Sequence, residues 1–194
     1  MALVPHDLRE PFAPRFPVHV TMRCAPRLPS LRARPQLRVL RRAFGAGCER
    51  FGFRLIEFAV LSNHLHLIVE GRDRRALVRG LQGLFIRCAK ALNRLWGRRG
   101  RVFADRHHDR VLRTPKEVRA ALVYVLGNAR RHGLVVTGID PCASGPWFEG
   151  WREPLEPTGP RWLARARSWL LARGWRRQGL IGIHERPCAW PVGS

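Results

Sequence analysis

Apolar and polar residues alternate along several stretches of the chain, and elsewhere the apolar ones recur every three to four positions. Phe16 to Arg23, FPVHVTMR, sets Val18 and Val20 on one side and His19 and Thr21 on the other, which predicts a strand. From Pro35 the stripe Leu37, Leu40, Phe44, Cys48 and Phe51 has helical spacing, keeps Arg38, Arg41 and Arg42 off it, and ends at Gly52. Phe53 to Leu61 reads as a second strand and His64 to Glu70 as a third, joined by a tight Ser62-Asn63 turn. Asp73 is placed as the N-cap of a long amphipathic helix through Leu77, Leu81, Leu84, Phe85, Cys88, Leu92 and Trp96, stopped at Gly97. Val102 to Arg113 predicts a fourth strand, broken around Asp105. Thr114-Pro115-Lys116-Glu117 then opens a helix with a capping box, and it runs to about Arg131 before Gly133.

The order strand, helix, strand, strand, helix, strand, helix predicts an α+β protein. Its expected architecture is a ferredoxin-like sandwich, an antiparallel sheet with helices on one face. Residues 1–14, rich in proline, are expected to be irregular; 15–135 form the main domain, and 136–194 a tryptophan-rich C-terminal extension. That extension holds Trp147, Trp151, Trp162, Trp169, Trp175 and Trp190, six of the chain's seven tryptophans, and its stretch Arg161 to Leu171 reads as helical. These rings could stack on bases, but packing a small subdomain is the favoured reading.

Charge changes the picture more than composition does. In 194 residues, 36 are basic and 14 acidic, for a net charge of +22; only Lys90 and Lys116 are lysines. Residues 1–133 hold 28 basic and 9 acidic residues (+19), whereas 134–194 hold 8 and 5 (+3). A GC-rich gene explains arginine in place of lysine but not the excess of cations, which points to a polyanionic partner. Arg72, Arg74, Arg75, Arg98, Arg99 and Arg101 are the expected phosphate-binding residues; a merely solvated face is the plainer alternative. No apolar run is long enough to span a membrane, and MALVPHDLREPF has no apolar core of signal-peptide length, so no signal peptide is expected. Five cysteines without a C-x-x-C pair argue against a zinc knuckle or a disulfide scaffold, and the expected compartment is a reducing cytoplasm.

His64-Leu65-His66 puts two imidazoles on one face of a strand, about 6–7 Å apart along it, with Leu65, Leu67 and Val69 turned to a core. Such a pair can share a divalent ion but cannot fill its coordination, and alone it is more often structural. Tyr124 is the only tyrosine. It flanks the apolar stripe Val118, Ala121, Leu122, Val125 and Ala129, offset by about 110°, and Asn128 lies one turn further along on its side. A boundary tyrosine with its hydroxyl in water is the plainer reading. Together these residues have a chemical logic. A phenol can attack a phosphodiester when a cation neutralises the phosphate oxygens, and His64, His66 and the Asn128 amide oxygen could hold Mg²⁺ or Mn²⁺. Glu70 shares the histidine face, where a solvated strand end is favoured over a metal role. His107 and His108 face opposite ways on a strand, so at most one reaches the metal side. Asp105 and Asp109 suit caps or arginine partners.

SNHLHLIVE (Ser62–Glu70), YVLGNARRHGLV from Tyr124, and the preceding GRVFADRHHDRVLR together resemble the single-tyrosine HUH transposases, in their REP-associated branch. The resemblance spans about residues 15–135. It implies a ferredoxin-like fold with the His-x-His strand near the sheet centre, His64, His66 and Asn128 on a metal, and Tyr124 as nucleophile. It further implies a 5′-phosphotyrosine bond to single-stranded or hairpin DNA with release of a 3′-hydroxyl. Some relatives act as dimers, which makes a homodimer one expected state. The chain departs from that branch in reading Asn128-Ala129-Arg130 where Asn-Pro is usual, and His107-His108 where an aromatic is common. Two rival readings stay open: a non-catalytic DNA- or RNA-binding protein on the same scaffold, and a metal-dependent nuclease that uses water.

Overall fold

The computed structural model describes residues 13–104, 107–134, 138–155 and 158–187. Asp105, Cys188, Trp190 and all but the end of the N-terminal segment 1–14 lie outside them. The strands are β1 (Val18–Arg23), β2 (Glu49–Arg50), β3 (Phe53–Val60), β4 (His64–Gly71) and β5 (His108–Val111); the helices are α1 (Arg34–Gly47), α2 (Arg74–Leu95), α3 (Pro115–Arg131) and the short α4 (Trp169–Ala172). The sheet order is β2-β3-β4-β1-β5 and each neighbouring pair is antiparallel. The expected α+β class holds.

The helix starts follow the local chemistry read from the residues. The Asp73 carboxylate accepts from the Ala76 N–H at 2.7 Å and so caps α2. At α3, Thr114 Oγ1 accepts from the Glu117 N–H while the Glu117 carboxylate accepts from the Thr114 N–H, with Pro115 in the first turn. These caps satisfy amide donors that have no partner inside the helix.

The helices do not share one face of the sheet as expected. α1 and α2 pack on the face formed by Val18, Val20, Met22, Leu55, Phe58, Leu65, Leu67 and Val69, while α3 packs on the other, against Ile56, Ala59 and Ile68. Both faces of β4 are covered, so nearly every β4 side chain is buried. α2 crosses β3 in close contact: a Cβ added at Gly80 would run into the Phe53 ring.

The chain from 138 to 187 joins this second layer. The stretch Arg161 to Leu171, expected to be helical, is α-helical only from Trp169, where α4 (Trp169–Ala172) begins. Residues 161–168 are instead irregular, and their polar groups bind the sheet. Arg161 pairs with Glu57 at 2.9 Å, and the backbone N–H groups of Arg167 and Ser168 each donate to Glu70 at 2.9 Å. Glu70 is 1% exposed; it is a buried anchor for this segment and not a solvated strand end. Arg32 grips Asp140 with two hydrogen bonds, and Arg119 grips Glu185 in the same way. Trp162 packs on Phe58 and Trp147, and Trp175 stacks on Phe148, in line with the packing role. Trp169, half exposed, is the exception among the described tryptophans.

Candidate active site

His64 and His66 rise from the centre of the sheet on the α3 side. β1 lies beside β4 with Thr21 opposite His66 and Arg23 opposite His64, and β5 lies beyond β1 with Arg110 opposite His19 and His108 opposite Thr21. Directly opposed residues of antiparallel strands share a face. His19, Thr21, His108 and Arg110 therefore join the two histidines on one surface. His107 turns the other way, its ring 6.1 Å from Phe85 on the α2 side.

α3 crosses this surface. The Tyr124 ring stands edge-on to His66 at 5.1 Å and to His19 at 5.7 Å between centroids. Two turns along, His132 at the helix end stands 5.3 Å from His64. Residues 124, 128 and 132 share one side of an α-helix. Asn128, fully buried, is thus bracketed by the Tyr124–His66 and His132–His64 contacts. Tyr124 is 4% exposed and no boundary residue. α3 is held between the sheet and the 138–187 segment, with Pro187 against Gly127, so its buried arc is wider than its apolar stripe. The Arg131 guanidinium lies 5.6 Å from the centre of the Tyr124 ring.

The polar groups are only partly paired. His66 Nδ1 is 3.1 Å from Thr21 Oγ1 and 3.2 Å from His19 Nε2, and His64 Nδ1 is 2.8 Å from Asn63 Oδ1. His66 Nε2 and both amide atoms of Asn128 are buried without a hydrogen-bond partner. Buried polar atoms normally find partners, and a missing one calls for an explanation. With the proton on Nδ1, donated to Asn63 in one ring and to Thr21 or His19 in the other, each Nε2 keeps its lone pair. Burial, with help from His19 and His64, drives His66 down to about 2. Burial, then His132 and Arg23, drives His64 down to about 4. Burial and Arg110 take His19 to about 4. All three rings are therefore neutral at physiological pH, the form that binds metals.

Among the described residues no group of three or more His, Cys, Asp or Glu side chains is arranged around a common metal position. A cation here would rest on two imidazoles and the Asn128 amide oxygen. The orphaned His66 Nε2 and Asn128 Oδ1 fit such a role.

The arginines divide. Cys24 pairs with Phe103 just beyond β1, and the Ala25 N–H donates to the Val102 carbonyl, so the 98–101 turn lies at the His64 end of the sheet. Arg99 and Arg101 are exposed there. Arg72, Arg74 and Arg75 follow Gly71 at the opposite end of β4 and are exposed as well. His19, Thr21, Arg110 and His132 were not singled out as site residues from the sequence. For His19 and Thr21 the alternation of FPVHVTMR held the signal, but not which strand they would adjoin.

No helix among the described residues is long and apolar enough to cross a membrane. No protein-family profile matches the chain, and no curated protein matches its sequence. Among solved structures the fold is similar to that of a REP-associated tyrosine transposase bound to a REP hairpin. The TM-score is 0.56 at 18% identity, over 72% of this chain and 82% of the other.

Proposed function

We propose that this chain is a metal-dependent DNA strand transferase of the single-tyrosine HUH class, acting on single-stranded or hairpin DNA. The observation that carries the reading is the Tyr124 ring set edge-on at 5.1 Å to His66, whose Nε2 is buried without a partner. The fold likeness to a hairpin-bound tyrosine transposase supports it.

His64 and His66 through Nε2, and Asn128 through Oδ1, would hold Mg²⁺ or Mn²⁺. The ion would supply charge neutralisation at the phosphate oxygens. Thr21, His19 and Asn63 orient the two imidazoles by engaging their Nδ1 atoms. Tyr124 Oη attacks phosphorus as it gives up its phenol proton; the bond from phosphorus to the 3′-oxygen breaks, and that oxygen takes up one proton and leaves as a hydroxyl, so protons balance. The 5′-phosphate remains ester-linked to Tyr124, and the reverse attack by a 3′-hydroxyl rejoins DNA. Arg23, Arg110 and Arg131 give the site a positive field that suits a phosphodiester. DNA approaches from the His64–His132 end, where His132 is exposed.

The test is a covalent-adduct assay. Labelled hairpin oligonucleotides taken from the DNA flanking the protein's own gene are incubated with Mn²⁺ and run on denaturing gels. A protein-linked label is expected that disappears with EDTA, with Tyr124→Phe and with His66→Ala. Free cleavage by Tyr124→Phe would instead make the protein a water-using nuclease. Tight binding without cleavage would make it a binding scaffold. Light scattering of the DNA-bound protein tests for a homodimer.

A further inference from the structure

The end of the sheet farthest from His64 carries a second set of features that the reaction does not use. β2 and β3 form a hairpin in which Arg50 pairs with Phe53, leaving Phe51 and Gly52 as a two-residue turn. Both have positive φ, +51° and +87°. That turn favours Asn-Gly, and a bulky aromatic in the left-handed region is an outlier. Yet Phe51 is 87% exposed, so packing does not hold it there. An observed strain of this kind points to a use for the side chain.

Phe51 is a ridge between two depressions, and Arg50 and Arg72 line both of them. The first, about 520 Å³, adds Arg75, Arg79 and Arg87 and is floored by Gly80 and Gly83. A Cβ at Gly83 would meet nothing within 4 Å, so that floor is open. Among the described residues Asp73 is the one acid lining it, and Asp73 is the cap of α2. Arg75, Arg79 and Arg87 make no ion pair with a carboxylate among the described residues, and Arg87 Nε is buried without a partner. The second depression, about 720 Å³, runs from Phe51 to the half-exposed Trp169. Gly71, at this end of β4, lies seven residues from His64, about 23 Å along the strand.

We propose that this surface is a second nucleic-acid site, a track for an unpaired strand. One base stacks on Phe51, and the flanking phosphates are held by Arg50, Arg72, Arg75 and Arg79. Arg72 shares the Asp73 carboxylate at 3.3 Å, at the exposed surface, but an aromatic platform flanked by an excess of arginines still matches a ligand with flat bases and evenly spaced anions. An acidic peptide supplies the charge without the flat group. The inference rests on the proposed function only for the ligand being single-stranded DNA. The track takes no part in the chemistry at Tyr124.

The test uses the full chain and fluorescently labelled dT15, which has no hairpin, read by anisotropy across a salt series. Phe51→Asn suits the positive φ and removes the ring. It is expected to raise the melting temperature while weakening dT15 binding about tenfold. Phe51→Trp is expected to keep binding at the original strength. Arg75→Ala with Arg79→Ala should lower the slope of log affinity against log salt by about 1.4. An oligonucleotide carrying 5-iodouracil should cross-link to the peptide containing Phe51. Wild-type affinity in Phe51→Asn, an unchanged salt slope, or equal displacement of dT15 by poly-glutamate of matched charge would each overturn the proposal. Failure at Tyr124 is read separately: Tyr124→Phe should lose the covalent adduct and still bind dT15 with the original dependence on Phe51.

Discussion

On one side of the sheet β1 and β4 present Val18, Val20, Met22, Leu65, Leu67 and Val69, all buried and all apolar. On the other side the same two strands present His19, Thr21, His64, His66 and Glu70 around a single buried apolar residue, Ile68, and of the polar five His19, His66 and Glu70 are also buried. Equal burial thus covers opposite chemistry. The α1–α2 side is stabilised by removing apolar surface from water, at about 25 cal/mol per Å². The α3 side carries neutral imidazoles and an amide with unmet hydrogen bonds, each of which costs about 1–3 kcal/mol. A fold does not retain such atoms for stability. The comparison separates what holds the protein together from what it holds ready.

Substitutions on neighbouring residues of β4 give the sharpest break of this comparison. Leu67→Ala should lower unfolding free energy by about 2–5 kcal/mol, read by urea denaturation, and leave adduct formation per folded molecule unchanged. Gly80→Ala drives a methyl into Phe53 on the same apolar side and should destabilise by about 1–3 kcal/mol. His66→Leu should shift stability by no more than about 1 kcal/mol, because relief of the orphaned Nε2 offsets the partner lost by Thr21 and His19. Calorimetric Mn²⁺ binding should disappear in the same variant. A stability loss as large as that of Leu67→Ala would mean that the histidine cluster holds the fold, and the division between faces would fail.

The smallest effect concerns the cover over α3. Arg119 and a backbone N–H hold the Glu185 carboxyl below its usual range. A depressed carboxyl contributes stability above its unfolded value near 4.5, and that contribution is lost as pH falls through the lower folded value. Melting curves between pH 5 and 3 should therefore fall more steeply for the wild type than for Arg119→Ala. Parallel curves would show that this pair does not fasten the segment.

Much of this was legible in the residues. The two-residue period of His64-Leu65-His66 already separated the imidazoles from a leucine core, and Thr114, Pro115 and Glu117 marked where α3 begins. What the pattern lacked was neighbourhood. FPVHVTMR showed that His19 and Thr21 share a side, but the pairing that brings them to His66 is a long-range register. The 161–168 stretch has helical spacing and is nonetheless irregular. Buried carboxylates on β3 and β4 draw its backbone amides and the Arg161 guanidinium, and that tertiary demand outweighs local propensity. Glu70 was misread for the same reason: no local signal shows that a strand end will be roofed by residues almost a hundred positions later. Likewise, helices assigned to one layer were divided because nothing local to α3 reports which side its connection crosses.

β1 sits between β4 and β5, and that position has a bearing on how the molecule is made. A ribosome delivers β1 before either of its neighbours. His19 then waits for His66, 47 residues later, and for Arg110 beyond it. Contacts this distant close slowly. Until they do, the nascent strand has two bare edges and needs protection from wrong pairing. The delay also orders the chemistry in time. Tyr124 meets His19 and His66 only after translation has passed α3, so a partly made chain lacks the assembled cluster.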